Sequence, residues 1–326
     1  MLYYKLNFGI AEICKSIVYG KHPRRRISHM NRSTLIERWP TLELEENAPL
    51  SAHTTFRVGG PAALMIFPES EAALAAVLAV CADEGTTPLI LGNGSNVLAP
   101  DEGLDRVVIC TKNMTKLEIN GTSITVGAGC TMAKLANAAL NVGLTGLEFA
   151  HGIPGTVGGG TVMNAGAYGG ELKDVITEVR CLTMDGSPVI KRGEELDFGY
   201  RHSCFDSGEF VIVSVSFALS YGDPAIIRGR MEELAAKRRS SQPLEYPSAG
   251  STFKRPEGHY AAKLIQDCGL KGHAVGGAQV SPKHAGFVIN TGGATCSDIL
   301  QLIQVIKDEV YQQTSVALEL EVKLLS

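Results

Sequence analysis

The chain has 326 residues, 44% hydrophobic and 20% charged, with a net charge of −4 and an isoelectric point near 6.1. This is the composition of an ordinary soluble globular protein with room for two or three domains. It leaves no basic surplus for nucleic acid and no acidic tail, and no apolar run reaches the roughly 18 residues that span a bilayer. The eight cysteines stand singly at 14, 81, 110, 130, 181, 204, 268 and 296. None forms C-x-x-C or a His/Cys ligand spacing, so the expectation is reduced cytoplasmic thiols with no metal site and no disulfide framework.

Residues 1–32 hold Lys5, Lys15, Lys21, Arg24, Arg25, Arg26 and Arg32 against Glu12, a charge of +6 that leaves −10 on the remainder. The basic cluster KHPRRR follows the apolar stretch, whereas a secretory signal puts its charge first. Residues 1–35 therefore read as a weakly structured basic extension, with Met30 as a second candidate start. A membrane-surface or nucleic-acid tether is the rival reading.

Beyond the extension, Glu71–Asp83 is alanine- and leucine-rich and reads as a helix leading into a strand at 88–91. A strand is expected at 107–110. Residues 117–126 read as a hairpin about Asn120-Gly121, a pair favoured by a two-residue type I′ turn. Thr131 is a plausible N-cap for a helix through Asn141. A second hairpin, 175–184 with 187–190, turns about Asp185-Gly186, and 210–219 alternates as a strand. Helices are expected at about 225–239, 259–269 and 297–313, the last repeating Ile299, Ile303, Ile306 and Val310 on one face. The closing LELEVKLL has strict period two. A boundary near Tyr221-Gly222 gives an α+β organisation: a region at 36–221 in two subdomains (about 36–110 and 111–221), a domain at 222–317, and a returning strand at 318–326.

Two glycine clusters stand out. LGNGSNVLAPDEG follows a strand but lacks the lysine of a P-loop, and Val97 stands where a Rossmann third glycine would fall. Alone it is either a tight turn or a ligand cradle. GIPGTVGGGTVMNAGAYGGE, from Gly152 to Glu171, interleaves glycine with Ile153, Val157, Val162, Met163 and Tyr168, apolar anchors that a flexible linker lacks. Two glycine-dense loops, each after a strand, are compatible with a dinucleotide held mainly by backbone N–H groups.

In chain order stand PLSAHTTFRVGGPA (49–62), LGNGSNVL, GLEFAHGIPGTVGGGTVMNAGAYG (146–169), FGYRHSCF (198–205), PSAGSTFKRP (247–256), LIQDCGLKG (264–272) and LELEVK (318–323). Together they resemble the UDP-N-acetylenolpyruvoylglucosamine reductase (MurB) family over roughly residues 38–326. The resemblance implies the FAD-binding fold of the vanillyl-alcohol oxidase type followed by an α+β substrate-binding domain. It implies noncovalent FAD, since His53 and His151 match no covalent-flavin motif, with NADPH and the enolpyruvyl ether of UDP-N-acetylglucosamine as substrates. The FAD would lie against Arg57, Gly92, Asn93, Gly94, Ser95 and Asn96 in the first segment. Gly152, Ile153, Pro154, Gly155, Thr156, Gly158, Gly159, Asn164 and Gly166 would complete its site. No nucleic acid and no membrane insertion are expected.

Three residues acquire catalytic roles only through the resemblance. Arg201 in YRHS is otherwise a surface arginine, and as a family residue its fork would face a carboxylate turning into an enolate. Ser251 in AGSTFK is otherwise a turn serine, and here it would be the proton donor. Glu321 shares one face of the alternating LELEVKLL with Glu319 and Lys323, an exposed strand face on pattern alone. The resemblance moves it into the active site. Lys254, Arg255 and Lys271 would reach the UDP diphosphate, although some relatives carry asparagine at the place of Arg255. The short spacing from Arg201 to Ser251 leaves no room for the tyrosine-bearing loop of one family subtype. A flavin oxidase of the same fold and a non-catalytic nucleotide-binding protein are the readings from other classes.

Overall fold

The computed structural model describes residues 35–37 and 39–326. The basic extension, the alternative start at Met30 and the tether reading lie outside these residues, apart from Leu35. The first unit is a four-stranded sheet of β1 (Glu43–Pro49), β2 (Pro61–Phe67), β3 (Leu89–Leu91) and β5 (Leu104–Cys110), in the order β1-β2-β5-β3. A short β4 (Val97–Leu98) stands apart from it. β1 and β2 are antiparallel, while β5 runs parallel to both β2 and β3. α1 (Glu71–Asp83) supplies the crossover, and Ser70 caps it by accepting a hydrogen bond from Ala73 N–H at 3.2 Å. β2 is apolar along its length because both of its faces are covered. Leu64 and Ile66 pack on α1, and Met65 and Phe67 pack on the opposite side with Leu91 and Val108. That double burial is what a run without alternation demands.

The second unit is an antiparallel sheet of β6 (Leu117–Asn120), β7 (Ser123–Gly127), β8 (Ile176–Thr183), β9 (Pro188–Arg192) and β10 (Phe210–Ala218), in the order β9-β8-β10-β7-β6. The first hairpin closes one residue later than expected. Asn120 pairs with Ser123, so the two-residue loop is Gly121-Thr122. Only Gly121 has positive φ (58°), which fits glycine at the first central position of a type II′ turn and not type I′. The expected N-cap at Thr131 is present on α2 (Met132–Asn141), where it accepts from Lys134 N–H at 3.2 Å.

The second glycine cluster is not a loop after a strand. It follows a 3₁₀ turn at Glu148–Ala150, and its three consecutive glycines lie in a short helix, α3 (Val157–Val162), capped by Thr156. Glycine is a poor helix former, so tertiary contact holds this helix. Val157 and Thr161 are buried, and a Cβ on Gly158 would come within 2.8 Å of Ala128 Cβ.

α4 (Pro224–Ser241) begins just past the expected boundary at 221–222, yet Ile227, Met231 and Leu234 pack into the core of the five-stranded sheet. A third core joins α5 (Ala261–Asp267) to α6 (Cys296–Thr314). It also includes the meander of β11 (Ala274–Val275), β12 (Ala278–Val280) and β13 (Val288–Asn290). Phe56, Val58 and Leu98 from the first unit are part of this core, as are Leu318 and Val322. The closing strand is much shorter than its period-two pattern implies: β14 (Lys323–Leu324) pairs in parallel with β4, and before it Leu320 makes a single bridge to Phe253. The segment is held from several directions, so its side chains do not divide into two faces.

Among the described residues no helix is long and apolar enough to cross a membrane, and no group of three His, Cys, Asp or Glu residues could hold a metal. The seven described cysteines are free. Leu302, fully buried on α6, tests the third core. Leu302→Ala should lower stability by about 2–5 kcal/mol in denaturant titration, because the cavity left behind only partly collapses.

Candidate active site

A cleft of about 1360 Å³ runs between the three cores. One wall is the turn 92–96 after β3, and the facing wall is the segment 152–156 leading into α3. The two segments touch. Ser95 Oγ donates to the Pro154 carbonyl at 3.2 Å. A Cβ on Gly92 would meet Thr156 Oγ1 at 2.4 Å, and one on Gly155 would meet Ser95 Oγ at 2.7 Å. Gly94 has φ +59°, and a Cβ there would lie 2.2 Å from the His53 carbonyl oxygen. Gly94 is therefore needed for backbone to meet backbone, and Gly92 and Gly155 for backbone to meet the small side chains of Thr156 and Ser95.

Thr55 joins the first wall to the C-terminal domain. Its N–H donates to the Gly94 carbonyl at 3.0 Å and its hydroxyl to the Ser248 carbonyl at 2.6 Å. Ser251 lies in the cleft a few residues on. Glu321 arrives from the chain terminus, with its N–H bound to the Thr252 carbonyl (3.0 Å) and its own carbonyl accepting from Asn96 Nδ2 (3.0 Å). Its side chain is 14% exposed, against 76% for Glu319, so the two do not share a solvent face. Arg201 Nε donates to Glu321 Oε1 at 2.8 Å. Burial pushes the Glu321 carboxyl above the ordinary carboxylate range, outweighing the pull of Arg201 and, more weakly, Lys254 in the other direction.

Arg201 is presented by an unusual loop. It has φ 54°, in the left-handed region, and Asp197 nearby has φ 45°. Asn164, fully buried, anchors this loop by donating from Nδ2 to the Gly199 carbonyl at 2.9 Å and to Glu171 at 3.0 Å. Ser203 Oγ ties the loop to the Val162 carbonyl at 2.7 Å. His202 bridges Asp197 and Asp206, both at 3.0 Å, and Lys323 also reaches Asp206 at 3.3 Å. The two carboxylates raise the His202 imidazole above its ordinary value.

The expected site residues divide accordingly. Arg57, Gly92, Asn93, Gly94, Ser95, Asn96, Gly152, Ile153, Pro154, Gly155, Thr156, Gly159 and Gly166 line the cleft together with Arg201, Ser251 and Glu321. Gly158 and Asn164 do not: the first packs on Ala128 and the second supports the Arg201 loop. Lys254, Arg255 and Lys271 also lie outside the cleft lining. Lys254 pairs with Glu319 at 3.5 Å, and the Arg255 guanidinium stacks on Tyr260 at 3.8 Å. Lys271 is exposed, near enough to His284 that its charge adds to the burial lowering that imidazole. Arg238 and Arg239 line the cleft without any motif announcing them. In sequence they sit in KRRSS, which reads as the solvated end of a helix; the packing of α4 turns Arg238 inward, while Arg239 stays exposed at the cleft edge.

The cleft suits an anionic dinucleotide. Its lining carries Arg57, Lys112, Arg201, Arg238, Arg239 and Lys323 against Glu245 and Glu321. An FAD-binding-domain family model matches residues 62–190, and the model for the UDP-N-acetylenolpyruvoylglucosamine reductase C-terminal domain matches 242–325. The UDP-N-acetylenolpyruvoylglucosamine reductase of Clostridium novyi is 46% identical over 283 residues, covering 87% of this chain and 92% of its own. That of Pediococcus pentosaceus is 45% identical over 297 residues, covering 91% and 99%. The chain belongs to the UDP-N-acetylenolpyruvoylglucosamine reductase family. The crystal structure of the Thermus caldophilus member has a TM-score of 0.76 at 35% identity, covering 87% of this chain and 99% of that one. The resemblance read from the motifs is thereby established, as is the α+β architecture of an FAD-binding domain followed by the family's C-terminal domain. The chain is an FAD-dependent oxidoreductase of peptidoglycan precursor synthesis.

Two measurements follow from this geometry. Gly94→Val forces a side chain into the His53 carbonyl, so the variant should purify with much less flavin absorbance per chain than wild type. For His202, whose folded value is raised, the stabilisation is complete below the ordinary value of about 6.5 and is lost as pH rises through the folded one. The thermal midpoint of wild type should therefore exceed that of His202→Gln in acid, and the gap should close on raising the pH. A gap independent of pH would remove the imidazolium bridge as its cause.

Proposed function

We propose that this enzyme uses NADPH to reduce the enolpyruvyl ether of UDP-N-acetylglucosamine to UDP-N-acetylmuramate, acting in the cytoplasm, where its free thiols stay reduced. The observation that carries the reading is the Arg201–Glu321 pair at 2.8 Å in the same cleft as Ser251 and the two glycine segments. When bound, FAD supplies the hydride chemistry, accepting a hydride from NADPH and delivering it to the terminal vinyl carbon of the substrate. The chain's own residues do the rest. Segments 92–96 and 152–156 bind and orient the cofactor through backbone N–H groups, while the Ser95 and Thr156 hydroxyls hold the segments in place.

As hydride reaches the vinyl carbon, negative charge grows on the adjacent carbon and spreads into the substrate carboxylate. Arg201 meets that charge. Its Nε is committed to Glu321, which leaves the terminal N–H groups of the fork for the carboxylate. Glu321 fixes the direction of the guanidinium and is itself fixed through its backbone by Asn96 and Thr252. Ser251 delivers the proton to the carbon next to the carboxylate. A hydroxyl is a weak acid, and it serves here because an enolate carbon is strongly basic. The domains proposed for these tasks are the FAD region at 36–221, the substrate domain at 222–317 and the returning segment at 318–326.

The half-reactions separate the roles. In Ser251→Ala, reduction of the flavin by NADPH should stay near wild type. Reoxidation by the enolpyruvyl substrate should slow by 10² to 10⁴-fold, about 3–5 kcal/mol. Ser251→Cys should recover part of the loss, and Glu321→Gln should also impair only the second half. Anaerobic stopped-flow absorbance resolves both steps. If Ser251→Ala slows reduction and leaves reoxidation intact, the serine is not the proton donor.

A further inference from the structure

Arg238 has surroundings that neither its position in the chain nor the catalytic set explains. It lies in the last turn of α4, where a cation is ordinarily solvated or bound to the final carbonyls. Its guanidinium instead lies against Gly152 in the cleft: a Cβ on that glycine would stand 2.8 Å from Arg238 Nε and 3.1 Å from Cδ. The absence of a side chain at 152 is what lets the fork lie there. Among the described residues it has no carboxylate partner. Its companions are Gln242 Oε1 at 3.3 Å and the Tyr168 ring, with the ring centroid 5.6 Å from the guanidinium carbon.

A partly desolvated guanidinium with donors to spare needs an anion, and a planar fork is well matched to phosphate oxygens. Gly152 begins the segment whose Pro154 and Gly155 touch Ser95, so this charge stands beside both glycine walls. We infer that Arg238 is a further cofactor-binding residue, its guanidinium donating to the diphosphate of FAD seated on the two glycine segments. This rests on those segments forming the FAD site. The arrangement complements them: backbone N–H groups supply direction and Arg238 supplies the counter-charge, with Gly152 left bare to admit it.

The test is the FAD dissociation constant of the purified full chain, read from the recovery of free-flavin fluorescence on dilution. Wild type is measured first. A wild-type chain that takes up no FAD overturns the underlying reading, and the proposal with it. With wild type loaded, Arg238→Gln should weaken FAD about ten- to hundredfold, the scale of a lost charge-assisted hydrogen bond. Arg238→Lys should fall between, because it keeps the charge and loses the fork. Gly152→Ala should also weaken FAD, with Arg238 intact, because the new methyl displaces the guanidinium. The φ of Gly152 lies outside the left-handed region, so alanine adds little backbone strain there. Should Arg238→Gln not fold, Gly152→Ala decides. FAD affinity within about twofold of wild type overturns the assignment. So does unchanged FAD affinity with a raised KM for NADPH or for the UDP sugar, since the arginine would then serve a different phosphate.

Discussion

A guanidinium and a carboxylate that meet at 2.8 Å, from residues 120 positions apart, set the constraint on which the cleft depends. Arg201 is on the loop between β9 and β10, whereas Glu321 is five residues from the chain terminus. Both side chains are largely buried, and taking two charges out of water costs more than an exposed pair returns. The pair is therefore weak as a source of stability, and its geometry has to be enforced by neighbours. Asn164 and Ser203 fix the loop, while Asn96 and Thr252 fix the backbone of Glu321. The positive φ of Arg201 is a further cost carried by the same supports. A binding site that faces a substrate carboxylate has a use for such a pair, since the fork is aimed before the substrate arrives.

The same residues connect the proposed cofactor walls to the proposed catalytic set. Asn96 ends the GNGSN turn, yet its side-chain amide holds Glu321. Thr55 binds both Gly94 and Ser248, so the first wall is joined to the segment that presents Ser251. A change in the seat of the cofactor must then be felt at the proposed proton donor and at the anion-binding fork. In the proposed reaction a hydride and a proton have to reach neighbouring carbons of one substrate, and rigidity across this set serves that.

Much of the fold was legible locally. Glu71–Asp83 is a helix with the expected bounds, and Thr131 caps the helix that follows it. These signals depend on residues within one turn of one another. The misses all depend on distant contacts. Asn120-Gly121 matches two turn types, and only strand pairing selects the loop Gly121-Thr122. The triple glycine of α3 has no helical propensity of its own and is held by packing against Ala128. LELEVKLL alternates, but the chain there is gripped by Asn96, Thr252 and Phe253 in turn, which sends Glu319 to solvent and Glu321 inward. For the site, the glycine segments were visible as sequence, whereas the meeting of Arg201, Ser251 and Glu321 came only through the family motifs. Arg238 was visible in neither way, because nothing in KRRSS records which side of α4 faces Gly152.

Charge distribution along the cleft adds a last constraint. The wall around Arg201 is balanced by Glu321, and Lys323 is balanced by Asp206. Arg57 and Arg238 have no carboxylate partner among the described residues. Neutralised cations hold geometry, and unneutralised ones attract anions, so the two sets of cations are suited to different work. In the proposed function the balanced Arg201 meets a carboxylate whose charge is redistributed during reaction, where an excess of fixed positive charge would hold substrate and product as tightly as the transition state. In the same proposal the unbalanced cations meet phosphates whose charge does not change through the cycle, and there uniform binding costs nothing in rate. On this proposal the same guanidinium chemistry serves retention at Arg238 and turnover at Arg201, and the difference lies in whether a carboxylate is built in beside it.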